Sequence, residues 1–145
     1  MIWIQVIVFL ALLLYASYSD LKTREISPWI PISITITGFI GITPTALPLM
    51  FLSAMVVTVP QLLVAGIKKD SYGGGDIKFM AACAFMLGPE GGCSAIIIGL
   101  SVGLLTTVIK RKLKKESLKE KFPIVPCLAF GSFLSFLIFS QGGNL

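Results

Sequence analysis

The stretch Ala46-Leu47-Pro48-Leu49-Met50-Phe51-Leu52-Ser53-Ala54-Met55-Val56-Val57-Thr58-Val59-Pro60-Gln61-Leu62-Leu63-Val64-Ala65-Gly66-Ile67 contains no charged side chain. A bilayer core about 30 Å thick is crossed by about 20 apolar residues in a helix, so this stretch reads as a transmembrane span. Pro60 lies inside it, where it removes one helical hydrogen bond and is expected to kink the helix. Outward from it, five further apolar stretches can be marked, at 2–19, 28–43, 77–88, 93–109 and 123–140. The second and fourth of the six, 28–43 and 77–88, are short, and the fourth spans only by tilting or by recruiting its Gly-rich and Pro-containing flanks. The expected fold is an all-α polytopic membrane protein of about six transmembrane helices.

The composition agrees. Of 145 residues, 55% are hydrophobic and only 13% charged, with a mean hydropathy of +0.91. Ordinary soluble domains are less apolar, and six spans leave no room for a separate soluble domain. Residues 1–145 therefore read as one membrane-embedded domain. The apolar N-terminus lacks the basic lead-in and small-residue cleavage site of a signal peptide, so it reads as a retained first helix. In 93–109 and just before it, Gly91, Ala95, Gly99 and Gly103 recur every four residues, a ridge of small side chains that permits close helix approach.

Charge distribution gives an orientation, because cytosolic loops of membrane proteins collect Lys and Arg. Alternating spans put Lys22 and Arg24, then Lys68, Lys69 and Lys78, then Lys110, Arg111, Lys112, Lys114, Lys115, Lys119 and Lys121 on one side; these are all 12 basic residues. The opposite side carries Glu90, read as an outer-loop charge. Both termini are thus expected outside and the polar loops in the cytosol, in a plasma membrane. The basic run 110–121 suits the anionic lipid of the cytosolic face. Enclosed between spans, it is a poor nucleic-acid site.

The chain has no histidine, which removes Ser-His and Cys-His catalysis. Cys83, Cys93 and Cys127 stand singly in apolar runs without a Cys-x-x-Cys pair, so they read as reduced packing residues, and neither a metal site nor another cofactor is expected. Once the loop acids Glu25, Asp70, Glu116 and Glu120 are set aside, two carboxylates abut apolar helices. Asp20 closes the first span in Tyr18-Ser19-Asp20-Leu21, and Asp76 opens the fourth in Gly73-Gly74-Gly75-Asp76-Ile77-Lys78. Both fall at one membrane depth. Asp20 stands at a helix C-terminus, which disfavours an anion, and Asp76 at a helix N-terminus, which favours one. One charged and one protonated carboxyl is what aspartic peptidase chemistry requires, and Asp76 is on this reasoning the expected base. Protons in such a pair belong to both acids, and Lys22, Arg24 and Lys78 bias them. The three glycines remove side chains where a peptide backbone would approach and give access to positive φ. The same turn can equally hold an anion on its backbone N–H groups, and Asp76 can equally be a plain helix cap.

Gly73-Gly74-Gly75-Asp76 fits the G-x-G-D motif of membrane aspartic peptidases, and its continuation Ile77-Lys78 resembles the type IV prepilin peptidases. The segment from Asp20 through Ile26, Ser27 and Pro28 is similar to that family's first aspartate segment. Pro123-Ile124-Val125-Pro126-Cys127-Leu128-Ala129-Phe130-Gly131 looks like its last-span pattern, P-x-x-P-x-L-A-x-G. The resemblance implies a single peptidase domain with Asp20 and Asp76 catalytic and with Gly73, Gly74, Gly75 and Lys78 as substrate contacts. It implies an endopeptidase that removes a short basic leader, usually ending in Gly, from prepilin or pseudopilin-like membrane proteins at the cytosolic face. Two departures stand out. Ser27 separates Ile26 from Pro28, with Trp29 following, so the start of the second span is expected to differ. The N-terminal insertion with paired cysteines that accompanies methyl transfer in larger members has no counterpart, so cleavage without methylation is expected. The polar face is strongly basic and repels a basic leader, which leaves insertion of the substrate helix to drive the encounter, with Asp70 or Glu25 as local leader contacts.

A small transporter or channel is the rival reading, since intramembrane acids mark ion paths; its acids belong near mid-span rather than at helix ends. A lipid-headgroup enzyme or a structural assembly subunit explains none of the ordered segments. A Ser-Lys pair from Ser71 with Lys68 or Lys69 would sit in a wet loop, where lysine stays charged.

Overall fold

The computed structural model describes residues 2–23, 25–40, 42–67, 73–114 and 124–142. Every described element is an α-helix: α1 (Ile2–Thr23), α2 (Trp29–Phe39), α3 (Leu47–Ile67), α4 (Gly74–Lys114) and α5 (Val125–Gly142). There is no strand among the described residues. Arg24, the 68–72 loop with Lys68, Lys69, Asp70 and Ser71, and the 115–123 loop with Lys115, Glu116, Lys119, Glu120, Lys121 and Pro123 lie outside the described residues.

The expected six spans meet five helices. Three of them are long and apolar enough to cross a membrane, over Ile4–Thr23, Leu47–Ile67 and Gly74–Lys110, whereas Trp29–Phe39 and Val125–Phe139 are shorter apolar helices. The fourth and fifth apolar stretches of the sequence share one element, α4, broken at Gly88 (φ 73°, ψ −179°). That conformation is open essentially to glycine alone. Pro89 follows it and has no N–H to continue the first arm's ladder, but a proline is well suited to begin a new one. Glu90 is therefore helical and exposed at the start of the second arm rather than in an outer loop. The break leaves carbonyls of the first arm without helical donors. Ser53 of α3 packs beside the break, donating to the Ala84 carbonyl at 2.7 Å. By contrast, α3 continues as a helix through Pro60.

α4 is the centre of the bundle: α2, α3 and α5 all pack on it, while α1 packs on α2 and α5. The core joins Phe9, Leu13 and Ala16 of α1, Ile30 and Ile34 of α2, Val57 of α3, Phe79, Met80 and Cys83 of α4, and Val125 and Leu128 of α5. Outside this core the helices are apolar as well. Leu14, Tyr18, Met55, Leu62, Leu63, Ile97, Leu104 and Leu105 are all well exposed, a surface matched to lipid chains rather than water. The small ridge on the second arm of α4 does what its spacing predicts. Gly99 lies against the Leu128 backbone and Gly91 near Ser135, so that α4 and α5 almost touch. Ser135 also donates to the Gly91 carbonyl at 2.7 Å. Among the described residues Cys83, Cys93 and Cys127 are free thiols, two of them buried.

Candidate active site

The buried face of α1 runs Phe9, Leu13, Ala16, Asp20. This helical spacing carries an acid into the protein at the helix's last turns. Asp20 is only 6% exposed. Its Oδ2 accepts a hydrogen bond from the Val125 backbone N–H at 3.2 Å. Val125 opens α5 and is itself fully buried, so its N–H belongs to the first-turn donors that no helical carbonyl satisfies. Asp20 supplies the missing acceptor. It thereby stands at two helix ends at once, the C-terminus of α1 and the N-terminus of α5.

Asp76 lies in the first turn of α4 and is half-buried. Its backbone N–H donates to the Gly73 carbonyl at 3.0 Å, and that of Ile77 shares the same acceptor at 3.4 Å, which closes the turn that starts the helix. The Gly73 backbone also hydrogen-bonds to the Asp76 carboxyl. The two carboxyls come close enough for their charges to interact, although α1 and α4 do not pack against each other among the described residues. The contrast that helix ends were expected to draw between the two acids is thus reduced, because Asp20 and Asp76 both face a helix N-terminus.

The three glycines differ from one another. A Cβ on Gly73 would stand 3.1 Å from Asp76 Oδ2, and one on Gly75 would stand 3.1 Å from Ile26 Cβ, whereas one on Gly74 would meet nothing within 4 Å. Gly73 therefore makes room for the carboxyl, and Gly75 lets the segment after α1 press against the turn. Gly74 faces open space. The only positive-φ glycine among the described residues is Gly88, so the value of this triplet is close approach rather than unusual backbone. Lys78 is exposed and lies two residues beyond Asp76, about 200° round the helix and so on another face.

Sequence reasoning had no means to find the Val125 N–H, which is 105 residues from Asp20, or the contact of Ile26 with Gly75. Among the described residues no cluster of His, Cys, Asp or Glu could hold a metal ion. Two carboxyls on separate helices, one buried and one half-buried, whose charges interact beside an uncrowded turn, suit chemistry in which one acts as acceptor and the other as donor toward a bound amide.

A family model described as the type IV leader peptidase family matches residues 7–108. The match spans both acids, the glycine turn and Lys78; the last-span pattern around Val125 lies beyond it. Neither a curated protein nor a solved structure matches the chain.

Proposed function

The chain belongs to the type IV leader peptidase family, and from that premise we propose that it is a membrane aspartic endopeptidase that removes the short basic leader of type IV prepilin or pseudopilin-like precursors. The observation that supports this reading is the charge interaction of Asp20 with Asp76 beside the open Gly74. In the proposed reaction one carboxylate takes a proton from water while the other carboxyl, protonated, hydrogen-bonds the scissile carbonyl. The water oxygen bonds to the carbonyl carbon. Return of a proton to the departing amine then breaks the C–N bond, and the pair regains its single shared proton. No metal or other cofactor enters. Gly73, Gly74 and Gly75 form the approach for an extended peptide, and Lys78 is an outer substrate contact.

The whole chain acts as one peptidase domain, spanning six times if the two arms of α4 are counted separately. Lys22 follows Asp20, Lys78 follows Asp76, and Lys110 and Lys112 end α4. Basic residues thus collect where the acids are, which supports a plasma-membrane protein with its catalytic end toward the cytosol, both termini outside and anionic lipid around the basic end. Three isolated cysteines and the short α1–α2 connection favour cleavage without methylation.

The test is co-expression with a prepilin-like precursor in membranes. A faster-migrating product that depends on this chain supports the reading. An unprocessed precursor beside abundant membrane-inserted enzyme overturns it.

A further inference from the structure

Ser53, Val57 and Gln61 form the buried stripe of α3, at four-residue intervals. Gln61 is only 8% exposed, and its Oε1 has no hydrogen-bond partner among the described residues. An unpaired amide oxygen in an apolar bundle is costly, and a polar side chain kept inside a span points to function.

Its level in the bundle can be worked out. The seven steps of chain from Ile67 to Gly74 reach at most about 25 Å, whereas the 21-residue α3 is about 31 Å long. The packed pair is therefore antiparallel. Ser53 donates to the Ala84 carbonyl, which fixes the register. Gln61 lies eight residues from Ser53 toward the connecting loop, and Asp76 lies eight residues from Ala84 toward the same loop. At 1.5 Å per residue both displacements are about 12 Å. On α4, Asp76, Met80 and Ala84 are spaced like Ser53, Val57 and Gln61, and Val57 and Met80 share one core. The unpaired amide thus stands at the level of Asp76, on the α3 face that packs against α4.

We propose that Gln61 is a substrate-binding residue, whose side-chain carbonyl accepts a hydrogen bond from a backbone N–H of the extended peptide held across the Asp20–Asp76 pair. The proposal rests on the peptidase reading and adds a residue to it. The bound peptide supplies the donor that the folded enzyme lacks. Because the contact is made equally in the bound and reacting states, its loss raises KM and leaves kcat nearly unchanged.

The experiment measures cleavage of a synthetic peptide, spanning a basic leader and the start of an apolar helix, by purified full-length enzyme in detergent. Wild type, Gln61→Met and Asp76→Asn are compared, each with its thermal unfolding. Met matches the shape of Gln without its amide. The expected result for Gln61→Met is a KM raised about 10- to 100-fold, kcat within about twofold, and thermal stability equal to or above wild type. A KM within about twofold of wild type overturns the proposal while leaving the peptidase reading intact. So does a fall in kcat at unchanged KM, which would place Gln61 on the water rather than the peptide. Reduced thermal stability overturns it too, since it means that the amide has a partner in the folded protein. If wild type itself fails to cleave, the peptidase reading fails and the Gln61 proposal falls with it.

Discussion

Gly131 offers a sharp test of how the bundle holds the proposed Asp20–Asp76 pair. A Cβ at this position of α5 would stand 2.5 Å from the Ala95 carbonyl oxygen, 2.5 Å from the Gly99 nitrogen and 2.8 Å from Gly99 Cα. All three are backbone atoms of α4, and none can rotate away. Ordinary non-bonded contact begins near 3.4–3.5 Å, so Gly131→Ala must part the helices by about 1 Å. Overpacking of this kind costs about 1–3 kcal/mol of stability. The displacement also reaches the site, because Val125, less than two turns away on α5, holds Asp20 through its N–H. A shift of about 1 Å in a catalytic group lowers the rate about 100-fold. Gly131→Ala is therefore expected to unfold at lower temperature and to process a prepilin-like precursor about 100-fold more slowly at matched abundance. Two controls isolate the cause. A Cβ at Gly103 comes no nearer than 3.7 Å to a neighbour, and one at Gly66 meets nothing within 4 Å, so Gly103→Ala and Gly66→Ala should behave like wild type. Wild-type rate and stability in Gly131→Ala would refute the argument.

Other consequences are local. Val125→Pro deletes the N–H that holds Asp20, yet proline is tolerated in the first helical turn; the protein should accumulate normally while processing drops about tenfold or more once Asp20 is no longer held in place, read by precursor-to-product ratio. Gly88→Ala forces a side chain into a glycine-only conformation and should cost about 1–3 kcal/mol in thermal unfolding. At the glycine turn Gly75→Val drives its side chain into Ile26 and should lower stability by about 1–3 kcal/mol, whereas Gly74→Ala, with nothing within 4 Å, should leave the melting temperature unchanged.

The uninterrupted runs that became α1 and α3 were legible because a lipid-facing helix has to be apolar along its whole length, whatever its neighbours are. Around residue 88 the sequence showed a break but not its form. Gly88-Pro89-Glu90-Gly91-Gly92 has the composition of a loop, yet the reversal is made at Gly88 alone and the helix resumes at once. A Cβ on Gly92 would stand 2.8 Å from Ser53 Oγ and 2.9 Å from Ala84 Cβ, so Gly92 serves the tight contact of the two arms with each other and with α3. That is tertiary information. The acids were legible for another reason: carboxylates against apolar helices are rare, and the Gly-Gly-Gly-Asp turn narrows the chemistry. What holds them was not. The Asp20–Val125 bond depends on the way α5 returns beside α1, and Gln61 gave only the weak signal of one polar residue in an apolar span.

The most direct test of the account replaces each acid in turn by asparagine and follows conversion of a co-expressed prepilin-like precursor at matched enzyme abundance. Asparagine suits the question because its side-chain carbonyl still accepts the Val125 N–H, so the start of α5 stays satisfied, while the amide cannot share a proton. The account predicts that Asp20→Asn and Asp76→Asn each accumulate in the membrane and each abolish cleavage. Substantial cleavage by either variant would contradict it, and would return both carboxyls to the role of helix-end residues.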